Sequence, residues 1–240
     1  MTKIDQYTNL KKFCQQQGVD LFGVADISLI KGDFALSPEL YNGLDRAACL
    51  GIRISSAIIR DIKEAPTKIY FHHYRTVNAL LDQAALKCAN LIQNKGFNAL
   101  PIPASQILDW EKQKGHLSHK KLGVMAGLGW IGRNNLLVNK LLGSQFRIVT
   151  ILTDMPLKAD KASKDNCGTC KLCVTICPAQ AIKEKVSEFD HIKCFEKLKE
   201  FQRQKLVDQY ICGVCVNICC GKPLAKGKKN NRFSSREIKK

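Results

Sequence analysis

No apolar run in this 240-residue sequence approaches the roughly 18 residues needed to cross a bilayer. That argues against a helical membrane span. The opening residues, Met1-Thr2-Lys3-Ile4-Asp5-Gln6, lack the apolar core of a secretory leader. The expectation is therefore a cytoplasmic protein with no membrane association. Acidic residues are scarce, at 21 against 38 Lys and Arg, so the formal charge is +17. A surface that basic attracts polyanions, with RNA the foremost candidate, although part of the charge serves solubility alone. No internal repeat is visible beyond two groups of cysteines. Otherwise the composition, 45% hydrophobic and 25% charged, is that of a globular chain with one large domain or a medium and a small one.

What is abundant is cysteine, 12 in all. In a reducing compartment, clustered cysteines read as metal ligands rather than disulfides. The first group is Cys167-x₂-Cys170-x₂-Cys173-x₃-Cys177-Pro178, the bacterial ferredoxin run. Three thiolates at this spacing wrap one [4Fe–4S] cubane and the fourth reaches a neighbouring one. A zinc site uses paired knuckles and has no need of the third cysteine. The second group is Cys212-x₂-Cys215-x₃-Cys219-Cys220, with Cys194 between the groups. The crossover rule assigns Cys167, Cys170, Cys173 and Cys219 to one cluster, and Cys177, Cys194, Cys212 and Cys215 to the other. Cys220 is left as a bystander or as a competitor of Cys219. Eight thiolates and two dicationic cores bring the charge to about +13. Cys14, Cys49 and Cys88 fall at apolar positions and read as small core residues.

Periodicity predicts helices over 3–17, 38–44 and 68–95, and strands over 21–27, 47–55, 97–102 and 146–153. Gly18 and Gly96 stop two of the helices, and Ser118 caps another that continues to Ala126. Residues 155–166 are polar without periodicity and read as a linker. Residues 226–240 carry seven Lys/Arg and one Glu and read as a disordered basic tail. The expected division is 1–160, 161–225 and 226–240.

Gly127-Leu128-Gly129-Trp130-Ile131-Gly132 matches G-x-G-x-x-G, but it follows a helix rather than a strand, so it is a poor dinucleotide fingerprint. Close backbone approach to a flat ligand, with Trp130 offering a π-face, is the better reading, against a turn that merely packs. His72 and His73 lie inside a helix, and His191 lies in the cysteine-rich part. His116 and His119 flank the Ser118 cap, with Asp109 and Glu111 upstream. Asp109, His116 and His119 are the candidate proton donors.

The stretch His119–Leu157, with its Ala126-Gly-Leu-Gly-Trp-Ile-Gly132-Arg133-Asn134 element, followed by Cys167–Ile182, Cys194 and Ile211–Cys215, resembles the epoxyqueuosine reductase family over roughly residues 45–220. The resemblance implies an α+β fold. A nitroreductase-like corrinoid-binding domain, related to reductive dehalogenases, would precede a small ferredoxin-like domain with two [4Fe–4S] clusters. It implies cobalamin over a pocket formed by Gly127, Gly129, Trp130, Gly132, Asn134 and Ser144, and an oxidoreductase that removes an epoxide oxygen from a modified tRNA base in queuosine biosynthesis. The cofactor carries the hard chemistry in such a design. Implied partners are a small redox donor such as a ferredoxin or flavodoxin, and tRNA. Three features depart from the family. Helical repeats that follow the clusters in typical members are expected to be lacking, Asp109 only approximates the family's proton-donating aspartate, and Cys220 stands where proline usually follows the last ligand. The rival readings are a two-cluster electron carrier with a partner-docking N-terminal domain and a corrinoid-dependent reductase of another substrate.

Overall fold

The computed structural model describes residues 2–111 and 113–221; the basic tail expected over 226–240 lies outside the described residues. The chain opens with α1 (Lys3–Gln16), whose first turn is closed by a reciprocal Thr2–Asp5 capping box. It continues through β1 (Leu21–Asp26), α2 (Pro38–Tyr41), β2 (Arg46–Arg53), α3 (Ser56–Asp61) and α4 (Lys68–Gln93). After β3 (Ala99–Ile102) come α5 (His119–Met125), the two-residue strands β4 (Trp130–Ile131) and β5 (Leu137–Val138), and β6 (Phe146–Thr153). The cysteine-rich part holds α6 (Leu172–Ile176), α7 (His191–Arg203) and α8 (Val214–Ile218). None of the described helices is long and apolar enough to cross a membrane.

Four strands form one antiparallel sheet in the order β1-β2-β6-β3. The central strands β2 and β6 are covered on both faces, which explains their near-continuous apolar sequences. Side chains alternate between faces with period two. Ala48, Leu50, Val149 and Ile151 meet Leu10 and Cys14 of α1 and Leu81, Ala85 and Cys88 of α4. Ala47, Cys49 and Leu152 point the other way, toward Leu122 of α5 and Leu137 of β5. Pro101, which has no N–H to give a ladder, sits on the edge strand β3. The three cysteines assigned to the core, Cys14, Cys49 and Cys88, are wholly buried.

A third apolar cluster joins the two parts of the chain. Ile54, Ile59, Ile62, Tyr70 and Tyr74 pack against Phe201, Val207, Ile211, Val214 and Val216. The cysteine-rich part thus shares a core with α3 and α4. Residues 155–166 also differ from a free linker. Met155 and Leu157 are buried, and the Asp160 carboxylate accepts hydrogen bonds from the Tyr7 hydroxyl and the Val24 N–H, both at 2.9 Å. Two apolar anchors and one carboxylate pin this segment without any periodic pattern.

Candidate active site

The eight thiols sort into two neighbourhoods. Burial raises the Cys173 thiol to about 11, and its neighbours Cys219, Cys167 and Cys170 push the same way. Burial raises Cys194 to about 11, with Cys177 adding to the rise. It raises Cys212 to about 12, where Cys194 and Cys177 add to the rise and the Val214 N–H and Lys197 offset part of it. Cys215, beside Cys212, Cys194, Cys177 and then Cys173, is held well above the ordinary thiol range, first by burial. A first set, Cys167, Cys170, Cys173 and Cys219, therefore stands beside a second, Cys177, Cys194, Cys212 and Cys215. Cys173 and Cys215 form the seam between them. Cys173, Cys194, Cys212, Cys215 and Cys219 are each disfavoured as bare thiolates, which fits a bound polycation that accepts the charge. Among the described residues, no three His, Cys, Asp or Glu side chains converge tightly enough to hold a single ion, as zinc would require. A cubane instead takes its thiolates at separate corners.

The first set is gripped by the glycine-rich element. Trp130 donates its indole N–H to Cys167 Sγ at 3.4 Å. The Arg133 guanidinium donates to three carbonyls, that of Glu184 at 2.6 Å and those of Cys170 and Gly168 in the first cysteine loop at 2.9 Å each. Ser144 donates its N–H to the Cys219 carbonyl at 3.0 Å, and its hydrogen bonds to the Cys219 thiol offset part of the rise that burial causes. Gly143, at φ +58°, allows this approach, since a Cβ there would lie 1.9 Å from the Cys219 carbonyl oxygen. Cys220 is exposed, its thiol 3.8 Å from the Gly221 carbonyl.

The second set faces a cavity of about 890 Å³. All four of its thiols border this space and none of the first set does. Apolar walls come from Ile54, Tyr70, Leu136, Phe146 and Ile211, and cationic groups from Lys114, Lys120, Arg147 and Lys197. Burial lowers the Lys120 ammonium and neighbouring Cys194 counters this; its Nζ donates to the Asn135 carbonyl at 2.6 Å. Arg147 lies over the Tyr74 ring, 4.3 Å from its centroid, and Tyr74 shares a 2.7 Å hydrogen bond with Ser105.

The residues expected over the corrin divide. Asn134 and Ser144 border the cavity, and the Asn134 amide donates to Ser144 Oγ at 3.3 Å. Gly127, Gly129, Trp130 and Gly132 do not line it. The backbone they expose is met by the protein itself. A Cβ on Gly129 would lie 1.9 Å from the Val138 carbonyl, Gly127 packs on the Lys161 carbonyl, and Gly132 packs on Val138 and Asn134. The candidate proton donors also separate. His119 borders the cavity, but both ring nitrogens are engaged. Its Nε2 lies 3.1 Å from the Pro103 carbonyl and so carries the proton, and Nδ1 accepts from the Thr150 hydroxyl at 2.8 Å. Burial lowers this imidazole to about 4. His116 Nδ1 is 3.4 Å from the Ala35 carbonyl. Asp109 sits in a small two-stranded loop with Lys114, and Trp110 beside it stacks on Phe195 of α7 and meets Tyr210 edge-on. That aromatic trio ties the loop over the cavity to the cysteine-rich part. Arg133 was missed as a functional residue, though its place in the Gly-Trp-Ile-Gly-Arg-Asn run was a signal for it.

No family model matches the chain. A protein named epoxyqueuosine reductase from Cyclobacterium marinum is 25% identical over 266 aligned positions, covering 97% of this chain and 84% of the relative. Another of that name from Leadbetterella byssophila is 32% identical over 121 residues, covering 47% and 39%. Among solved structures, a catabolic reductive dehalogenase in complex with 3-bromo-4-hydroxybenzoic acid superposes with a TM-score of 0.71 at 18% identity, over 91% of this chain and 32% of that one. An epoxyqueuosine reductase with an epoxyqueuosine-modified tRNA-Tyr stem loop gives 0.64 at 16% identity, over 91% and 65%. This chain therefore spans about a third of the dehalogenase and somewhat less than two thirds of the tRNA-bound reductase. The resemblance read from the glycine element and the cysteine groups is borne out: the chain is a sequence relative of oxidoreductases named epoxyqueuosine reductase, and its mixed helix-and-sheet fold is like theirs and like that of a reductive dehalogenase.

Proposed function

We propose that the chain is an iron–sulfur, corrinoid-dependent reductase of the epoxyqueuosine type, with a nitroreductase-like corrinoid-binding part followed by a ferredoxin-like part. The observation that carries this reading is the cavity of about 890 Å³ bordered by all four thiols of one set. It is of the size used for cofactors and has mostly apolar walls with a few polar groups, as such sites do.

In this reading Cys167, Cys170, Cys173 and Cys219 hold the outer cluster, and Cys177, Cys194, Cys212 and Cys215 the inner one. Two clusters supply a one-electron relay, and a corrinoid supplies a strongly reducing cobalt centre. The chain's own residues set the surroundings. Ile54, Tyr70, Leu136 and Phe146 exclude water from one wall of the cavity. Asn134 and Ser144 offer hydrogen bonds to a ligand's edge. Lys120, Lys197 and Arg147 favour negative charge accumulating in the cavity. Asp109, on the loop above, remains the nearest match to the family's proton donor, while His119 braces the root of that loop. Electrons would come from a small carrier such as a ferredoxin or flavodoxin, and the tRNA-bound structural neighbour supports a tRNA substrate.

The test is reduction of epoxyqueuosine in tRNA by anaerobically reconstituted protein with a chemical electron donor. Product formation that requires added cobalamin is the expected result. Product without cobalamin would sink the corrinoid assignment. A second reading, an electron carrier without chemistry of its own, draws on the fact that neither Asp109 nor His116 borders the cavity. It predicts no product and no effect of cobalamin, with electrons passing to a partner.

A further inference from the structure

The side-chain donors around the two thiol sets are unequal. The first set receives the Trp130 indole N–H on Cys167 and hydrogen bonds from Ser144 on Cys219. Among the described residues, no side-chain hydrogen bond reaches Cys194, Cys212 or Cys215 of the second set. We infer that Trp130 sets the reduction potential of the outer cluster, as a positioning residue acting through the Cys167 sulfur. The inference rests on the two-cluster reading above.

The physical argument concerns charge. When a carrier gives one electron to the cluster, no bond breaks and no proton is taken up, and the added negative charge spreads onto the ligand sulfurs. An N–H aimed at one of those sulfurs stabilises the reduced state more than the oxidised one, so it raises the potential. An outer partner of this kind tunes a centre without touching the metal.

The contact is fixed from both sides. Trp130 belongs to β4 and pairs with Val138 of β5, and the chain can run there because Gly129 lies flush against the Val138 carbonyl. Arg133, three residues on, holds the carbonyls of Gly168 and Cys170 on the loop that carries Cys167. Indole and sulfur are thus clamped by one short segment. This also accounts for the glycine-rich run, which serves the outer cluster rather than a flat ligand in the cavity.

Trp130→Phe keeps the ring and removes the N–H. In an EPR-monitored redox titration of the reconstituted full chain, one cluster should titrate at lower potential than in the unsubstituted protein. The other should be unmoved and the iron content unchanged. Titration identical to the unsubstituted protein, or an equal shift of both clusters, would overturn the inference. A second measurement avoids dependence on that variant's folding. With ¹⁵N-labelled tryptophan in a Trp110→Phe background, pulsed EPR of the reduced protein should show ¹⁵N coupling to a single cluster, and absence of coupling overturns the proposal. Iron far below about eight atoms per chain in the unsubstituted protein would instead remove the two-cluster reading itself.

Discussion

The two sets of thiols interleave along the chain, yet they live in different surroundings. The first set is held by hydrogen bonds from the sheet-bearing part, through Trp130, Arg133 and Ser144, and includes the exposed Cys170. The second set faces a cavity with cations on its walls, and among the described residues no side-chain hydrogen bond reaches Cys194, Cys212 or Cys215. In the proposed two-cluster relay, one arrangement suits a site that receives electrons near the surface and the other a site that hands them on inside, so the neighbouring residues would decide which role the same ligand chemistry takes.

The strongest way to break this comparison is to remove one ligand. Cys194→Ala takes a thiol from the second set alone, so iron should fall by about half and one reduced EPR signal should persist. Complete loss of iron would show that the sets form cooperatively and cannot be treated apart. A smaller perturbation is Gly143→Ala, which drives a Cβ into the Cys219 carbonyl at a positive φ. It should cost roughly 2–4 kcal/mol, seen as a fall in Tm, and should loosen the first set while leaving the cavity side intact.

The cavity side has its own handle in His119. Its folded-state value of about 4 lies below the ordinary 6.5, so the unfolded chain binds the extra proton between those values. The neutral imidazole therefore contributes stability that is complete above about pH 6.5 and is lost as pH falls through 4, up to roughly 3 kcal/mol. Thermal melts from pH 7 to 4 should show this fall, and His119→Gln should flatten it. The smallest expected effect is Arg133→Lys. A single ammonium cannot reproduce the fork on three carbonyls, so about 1–2 kcal/mol should be lost and a chelator should strip the first set faster than the second.

Much of the sheet was legible because its residues obey one period. Strand β6 coincides with the run expected from its β-branched residues, and Ser118 caps α5 through the Lys121 N–H. The spacing of Cys167, Cys170 and Cys173 puts three thiols on one short loop, whereas nothing local in the sequence brings the distant Cys219 beside them. Other elements gave no such signal. Helices α6 and α8 are five residues each, too short to show a stripe, and β4 and β5 are two residues each, too short to alternate. The glycine run suggested a ligand because glycine reports only that something comes close. Around Gly127 and Gly129 it is the backbone of Lys161 and Val138 that comes close, and around Gly132 the side chains of Val138 and Asn134. Residues 155–166 looked unanchored because Met155, Leu157 and Asp160 attach them at single points.

The most direct test of the account is the EPR spectrum of cob(II)alamin added to the anaerobically reconstituted protein. The cavity reading predicts a cobalt signal changed from that of free cobalamin, which Cys167→Ala, in the first set, leaves in place. A spectrum of free cobalamin alone would contradict it and leave the second set of thiols facing a cavity for some other acceptor.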